Sequence, residues 1–228
     1  MIFLFDVDGT VTPSRSKIHP KMADTLLQLD NYSFVTGSDT DKTIEQVGRP
    51  VFNSAQYSFN CIANDVYRYG QPLYRNNWKP SGQQMAFLMQ IADLSPYPYQ
   101  YGKTVEVRTG MVNFSVVGRG AVGLQRTNYY KWDCEHRERE KLSRLIKTQY
   151  PELTAVVGGE TGIDVFPNGG DKSQILRDFL DTDMIYFFGD RLDPAGNDRP
   201  LADAIVNGKS IHVKDWRDTY KTLLGMVE

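Results

Sequence analysis

Asp6 and Asp8 stand two residues apart, followed at once by Gly9 and Thr10. The apolar run Ile2–Phe5 precedes them, so the two acids fall where a buried strand would meet its loop. A second apolar run, residues 184–188, leads through Gly189 to Asp190, and Asn197 and Asp198 follow. Ligands of open parallel sheets bind beyond the carboxyl ends of the strands. Acids converging on one such edge repel unless a cation lies among them. Hard oxygen donors, with phosphate oxygens completing the set, suit Mg2+. The plainer alternative is a set of solvated loop aspartates. Their order along the chain favours the cation site.

The elements around them follow from periodicity. Met22, Leu26, Leu27 and Leu29 have helical spacing. Residues 32–36 predict a strand, 39–48 a helix with an acidic start and a glycine stop, and 57–63 a third strand. This alternation predicts a doubly wound α/β layer. Residues 70–80 are rich in turn formers, and 81–94 predict a helix ended by Pro96 and Pro98. Two alternating strands follow, 104–108 and 111–119, joined at Thr109-Gly110. Val105, Val107, Val112, Phe114 and Val116 make one face; Glu106, Arg108, Asn113, Ser115 and Arg119 make the other. A charged helix over 133–150 and strands over 153–157 and 163–166 complete an α+β segment. The α/β rhythm resumes with a helix over 172–180, strands over 184–188 and 211–213, and a helix over 215–226. The expected fold class is α/β, a Rossmann-like parallel-sheet core interrupted by an inserted α+β domain of antiparallel sheet and helices. The core would comprise residues 1–78 and 168–228, and the insert 79–167.

Composition excludes other classes. With 228 residues the chain is long enough to bury about 70% of its unfolded surface. It is 40% hydrophobic and 24% charged, which argues against disorder. The net charge of −2 carries no basic excess that would call for nucleic acid or an anionic membrane. No apolar stretch reaches the length of a membrane span, and the N-terminus lacks the basic start of a signal peptide. Cys61 and Cys134 are read as free thiols, and the expected location is the cytoplasm. The sequons at Asn31 and Asn113 carry no weight there.

The motif FDVDGT, Thr36 and Ser38 at a strand end, Lys172 in GGDK, and GD…ND over 189–198 resemble the four motifs of the haloacid dehalogenase-like phosphotransferases. That resemblance implies an aspartyl-phosphate mechanism. Asp6 would be the nucleophile and Asp8 the general acid/base, with Lys172 and Thr36 or Ser38 holding the transferring phosphoryl group. The Mg2+ ligands implied are Asp6, the backbone carbonyl of Asp8, and Asp190, supported by Asn197 and Asp198. A closer resemblance runs through DVDGTVTPSRSKI, FVTGSD, VEVRTGMVNFSVVGR, Arg126, GGETGIDVFPNGGDK and YFFGDRLDPAGND. These are similar to eukaryotic-type phosphomannomutases, most specifically in GMVNFSVVGR and DVFPNGGDK.

What this closer resemblance implies is concrete. Arg15, Arg108, Arg119 and Arg126 match positions that bind the distal phosphate or the sugar. Asn113, Gly162 and Asp164 match sugar- or phosphate-contacting positions on the inserted cap. The substrates would be mannose 6-phosphate and mannose 1-phosphate, with a hexose 1,6-bisphosphate as activator. The product would feed GDP-mannose synthesis, and glucose phosphates are further candidate substrates. The assembly expected is a homodimer through the cap. The charge pattern agrees, since residues 103–131 carry a net +4 and arginine presents a planar fork to phosphate oxygens. A solvated basic sheet face is the plainer alternative.

Some positions depart from the family pattern. Gly162 stands where serine is usual, Glu160 where glutamine is, Asp65 where glycine is, Thr36 where glycine is, and Gly170 where tryptophan is. These leave the chemistry intact and put the sugar preference in question. Two readings compete with the mutase: a sugar-phosphate phosphatase of the same fold, and a phosphosugar-binding protein without activity. His19, His136 and His212 lack ligand spacing and read as surface or core residues. The stretch Tyr129–Trp132 reads as cap packing or an interface before sugar stacking. The charged run 135–144 reads as a solvated helix face.

Overall fold

A computed structural model describes residues 1–194 and 196–227; Ala195, in the GD…ND segment, and Glu228 lie outside the described residues. The chain divides into two compact units, Met1–Asn76 with Gly170–Glu228, and Asn77–Gly169.

The first unit opens with β1 (Ile2–Phe5), four residues without a polar side chain and all buried. Helix α1 (Pro20–Leu27) starts at a proline, and the ring of His19 accepts from the Lys21 N–H. Strand β2 (Tyr32–Val35) leads to α2 (Thr40–Val47), capped by the Asp39 carboxylate, which accepts from the Lys42 N–H at 2.8 Å. Gly48 stops that helix, and the short α3 (Arg49–Ser54) follows. Strand β3 (Tyr57–Asn60) is shorter than expected, because residues 61–63 turn left-handed. The segment read as irregular from Gly70 onward is instead half of a hairpin, β4 (Asp65–Arg68) and β5 (Gln71–Arg75). Tyr69 and Gly70, both at positive φ, make its two-residue turn. Strand β5 is exposed throughout and includes Pro72, which hides the usual strand pattern.

The second unit begins with α4 (Gly82–Asp93), held by a reciprocal capping box between Ser81 and Gln84. Strands β6 (Val105–Arg108) and β7 (Met111–Phe114) pair antiparallel. The second was expected to run on to Arg119. It stops because Gly118 turns at φ 83° directly over the chain, where a Cβ would lie 2.4 Å from the Tyr101 carbonyl oxygen. The single helix expected over 133–150 is two helices, α5 (Leu124–His136) and α6 (Glu138–Gln149), broken by Arg137 at φ 52°. The charged run is therefore not a uniformly solvated face. Glu138 and Arg139 are buried, and Arg139 pairs with Asp133 at 2.7 Å. Tyr129, fully buried, donates its hydroxyl to Glu138 and packs edge-on to Tyr97. Strands β8 (Leu153–Gly158) and β9 (Gly162–Pro167) complete a four-stranded sheet in the order β6-β7-β9-β8. Val112, Phe114, Ile163 and Val165 point to a core shared with Leu88, Ile91 and Ile146 of the helices.

The chain then returns to the first unit. The helix expected over 172–180 is a 3₁₀ turn, Lys172–Asp178; Phe179 is extended and places its ring against Tyr57 and Phe59. Strand β10 (Ile185–Gly189), helix α7 (Arg199–Ala204), strand β11 (Gly208–His212) and helix α8 (Trp216–Val227) close the fold. The strand order is β11-β10-β1-β2-β3-β4-β5, parallel from β11 to β3, with the hairpin antiparallel at one edge. Alternate residues of β1 enter two different cores. Phe3 and Phe5 join Phe34, Phe188 and Leu26. Ile2 and Leu4 join Val35, Phe59 and Phe187. A sheet buried on both faces needs near-continuous apolar strands, which is what β1, β2 and β10 supply. The architecture is the expected α/β class, a parallel-sheet core plus an antiparallel α+β insert. Among the described residues no helix is long and apolar enough to cross a membrane.

The buried Arg139–Asp133 pair gives a direct stability test of the second unit. Replacing Arg139 with Met leaves Asp133 as an uncompensated buried charge, so chemical denaturation is expected to show a loss of about 3–5 kcal/mol. Adding Asp133→Leu should recover most of it. A loss below about 1 kcal/mol in the single variant would contradict the pairing.

Candidate active site

Strand β1 delivers Asp6 to the carboxyl edge of the parallel sheet, and the Asp6 N–H donates to the Phe188 carbonyl of β10. The loop then folds over the strand end. The N–H groups of Val11 and Thr12 both donate to the Val7 carbonyl. The Thr219 hydroxyl of α8 donates to the Thr10 carbonyl at 2.7 Å. Gly9, at φ 85°, lets the Asp190 carboxylate approach; a Cβ there would lie 2.6 Å from Asp190 Oδ2.

Three carboxylates meet at this edge. Ligand atoms of Asp6, Asp190 and Asp198 all lie within 4.8 Å of one another. Lys172, delivered by the start of the 3₁₀ turn, places Nζ 2.6 Å from Asp6 Oδ1 and 2.6 Å from Asp198 Oδ1. Asp6, Asp198 and Lys172 are buried. Burial pushes the Asp6 carboxyl well above its ordinary range; Lys172 opposes this, and Asp198 and Asp190 add to it. Burial, with Asp198 beside it, pushes Asp190 up to about 6. Burial alone would lower the Lys172 ammonium, but Asp198 and Asp6 outweigh it and hold it above its usual value. One ammonium facing three carboxylates leaves an excess of negative charge with hard oxygen donors. That donor set fits a divalent cation such as Mg2+.

The other predicted core residues take different places. Asp8 accepts from the Arg15 backbone N–H and, at 2.9 Å, from Gln46 Nε2. Thr36, buried at the end of β2, accepts from the Ser38 N–H through its hydroxyl. Its loop is pinned from below. Residues Cys61, Ile62 and Ala63 are all left-handed, and the N–H groups of Cys61 and Ile62 donate to the carbonyls of Ser38 and Thr36. Such backbone is disfavoured by about 1–2 kcal/mol per residue and persists where surroundings hold it. Here Asn64 Nδ2 and Gln174 Nε2 hold the Cys61 and Ile62 carbonyls. Asn197 is half-buried, directly before Asp198 in the segment leading to α7. Asp198 holds Lys172 and also accepts from the Arg191 N–H. Arg15 is exposed on the loop of the first unit.

In the second unit, Glu106, Asn113 and Asp164 stand in one row across β6, β7 and β9. Asn113 Nδ2 donates to Asp164 Oδ1 at 2.6 Å, while its Oδ1 is buried with no hydrogen-bond partner among the described residues. Gly162 leaves room for that amide; a Cβ there would lie 2.9 Å from Asn113 Nδ2. Arg108 and Arg119 converge on Glu106 Oε2, and Arg126 pairs with Glu160. The histidines each meet a neighbour rather than one another. His19 stacks on Trp216, His136 stacks on Trp132, and His212 lies against the Asp190 carbonyl.

Gln46 was missed by sequence reasoning. It is buried, and its Nε2 also reaches Thr12 Oγ1 at 3.3 Å. The only signal was its place on a helix that starts just beyond the Thr36–Ser38 strand end.

Comparison with known proteins identifies the family. The sequence profile of the eukaryotic phosphomannomutase family matches residues 22–227. A phosphomannomutase of Saccharomyces cerevisiae is 35% identical, the match covering 97% of this chain and 92% of that protein. Phosphomannomutase 1 of Dictyostelium discoideum is 35% identical over 96% of this chain and 93% of its own length. Among solved structures, the trehalose-6-phosphate phosphatase C-terminal domain of C. albicans superposes with TM-score 0.66 at 15% identity, covering 97% of this chain and 90% of that one. A haloacid dehalogenase-like hydrolase from Bacteroides thetaiotaomicron superposes with TM-score 0.57 at 11% identity, covering 99% and 98%. With a matching family profile over most of its length, and the acids and lysine gathered at one sheet edge, the chain belongs to the eukaryotic phosphomannomutase family of enzymes, on a haloacid dehalogenase-like fold.

Proposed function

We propose that this enzyme interconverts mannose 6-phosphate and mannose 1-phosphate by way of a phosphorylated Asp6, primed by a hexose 1,6-bisphosphate. The observation that carries the reading is the buried Asp6 carboxylate, engaged by Lys172 at 2.6 Å and flanked by Asp190 and Asp198. A carboxylate nucleophile divides phosphoryl transfer into two displacements. In the first, a bond forms between an Asp6 oxygen and phosphorus while the bond from phosphorus to the sugar oxygen breaks. Asp8 gives its proton to that sugar oxygen. In the second, Asp8 takes the proton of the attacking sugar hydroxyl, and the phosphoryl group leaves Asp6.

Lys172 offsets negative charge on the transferring group, and the hydroxyls of Thr36 and Ser38 donate to it. Mg2+ held by Asp6, the Asp8 carbonyl and Asp190, with Asn197 and Asp198 in support, would supply further neutralisation of phosphoryl charge. The first unit is thus the catalytic core. The second reads as the specificity domain, its Arg108, Arg119 and Arg126 taking the phosphate that is not transferred. Asn113 and Asp164, paired with each other in the same row as Glu106, read as the sugar-contacting residues. The product's class of use is nucleotide-sugar synthesis, specifically GDP-mannose, in the cytoplasm.

The test is isomerisation of mannose 1-phosphate in Mg2+ with and without added bisphosphate. Mannose 6-phosphate formation that rises with the primer is expected. Free phosphate released independently of the primer, with no isomer formed, would identify a phosphatase instead. Gln46 is placed to aim Asp8, so Gln46→Leu is expected to lower kcat about 10- to 100-fold, the worth of one hydrogen bond to a charged group, with little change in KM. An unchanged kcat would remove Gln46 from the account.

A further inference from the structure

The second unit holds its three proposed phosphate-binding arginines in an unusual electrostatic state. Arg126 Nε lies 3.1 Å from Glu160 Oε2, with the arginine side chain 14% exposed and the glutamate 50%. Arg108 Nη2 and Arg119 Nε meet the single Glu106 Oε2 at 2.5 and 3.1 Å, the arginines 13% and 17% exposed and the glutamate 41%. In each case the fold holds the cation and leaves its anion at the rim.

Glu160 is not the sole contact of Arg126. Most of its side chain is buried, and its Nη1 also donates to Thr161 Oγ1 at 3.2 Å. Glu160 and Thr161 sit on the β8–β9 turn, which is fixed from behind by Arg139 Nη1 donating to the Gly159 carbonyl at 2.9 Å. A carboxylate, though planar where a phosphate monoester is tetrahedral, offers guanidinium the same kind of anionic oxygen acceptors, with less charge. Each glutamate therefore gives its arginine the kind of charge-assisted contact that a phosphate oxygen would give.

We propose that Glu160 and Glu106 are built-in competitors, whose carboxylates contact the arginines that take the non-transferred phosphate and must be displaced when substrate binds. This rests on the phosphate-binding reading of Arg126, Arg108 and Arg119. The glutamates keep the cations neutralised in the free enzyme, and they weaken substrate binding by the energy of the pairs that are broken. Their half-exposed position makes the exchange easy, since a displaced carboxylate moves into water. They are thus affinity-determining residues of the second unit.

The experiment is a double-mutant cycle on the full chain, read as KM for mannose 1-phosphate under primed isomerisation. Glu160→Gln keeps shape and an acceptor oxygen while removing the charge. Exposed pairs have modest worth, so KM is expected to fall about two- to fivefold with kcat nearly unchanged. Arg126→Gln should raise KM, and Glu160→Gln added to it should bring no further fall. Glu106→Gln should behave like Glu160→Gln, measured against Arg108→Gln. A KM that rises or stays level in Glu160→Gln, while Arg126→Gln raises it, would overturn competition and leave the phosphate reading standing. A fall that persists without Arg126 would also overturn it. If Arg126→Gln and Arg108→Gln both leave KM unchanged, the phosphate reading itself fails. An unshifted melting temperature separates these outcomes from misfolding.

Discussion

The buried contact of Lys172 with Asp6 and Asp198 is the constraint around which the first unit is arranged. An ammonium and two carboxylates removed from water are costly unless each finds an opposite charge at short range. That requirement fixes three chain segments far apart in sequence at one point: the end of β1, the start of the 3₁₀ turn and the segment before α7. The parallel sheet satisfies it because β10 lies beside β1 in direct register, Phe5 opposite Phe188. Asp6 follows one strand, and Asp190 follows the other by way of Gly189. The residual negative charge is the reason the site suits a divalent cation. The same burial raises Asp6 and Asp190 above their ordinary range, so a cation and a protonated carboxyl are alternative ways of settling one imbalance.

Much of this was legible in the sequence. Apolar runs ending in Asp-x-Asp-Gly and Gly-Asp mark two strand ends by pattern alone. Alternation in β6 and β7 separates Glu106, Arg108 and Asn113 from Val105, Val112 and Phe114, which pack in the core, while Val107 on the same expected face is exposed at the end of the sheet's edge strand. Other features leave no local mark. Lys172 meets Asp6 across 166 positions, so only the family pattern pointed to it. Gln46 looks like any polar residue on a capped helix. The break at Arg137 replaces one helix by two because a non-glycine residue adopts φ 52° there. Periodicity does not report a reversal of that kind. The hairpin of β4 and β5 escaped for a related reason: a strand with every residue exposed has no buried face to set its period.

The near-neutral total charge likewise conceals a local division. The segment 103–131 carries +4, yet in the folded second unit its arginines do not present bare charge. Glu106 meets Arg108 and Arg119, and Glu160 meets Arg126. Composition alone suggests a basic face waiting for an anion. The structure gives arginines that already have carboxylate partners, so their affinity for phosphate becomes a difference between two ion pairs rather than one attraction. In the first unit the balance is reversed, with carboxylates in excess of their single lysine.

The claim on which the functional account turns is that Asp6 itself receives the phosphoryl group. The most direct measurement is to mix the enzyme and Mg2+ with a hexose 1,6-bisphosphate bearing labelled phosphorus, quench rapidly, and locate the label by mass spectrometry. The account predicts a base-labile, hydroxylamine-sensitive acyl phosphate on Asp6, absent from Asp6→Asn. Isomerisation proceeding while no protein-bound label forms, or label found on another residue, would contradict it.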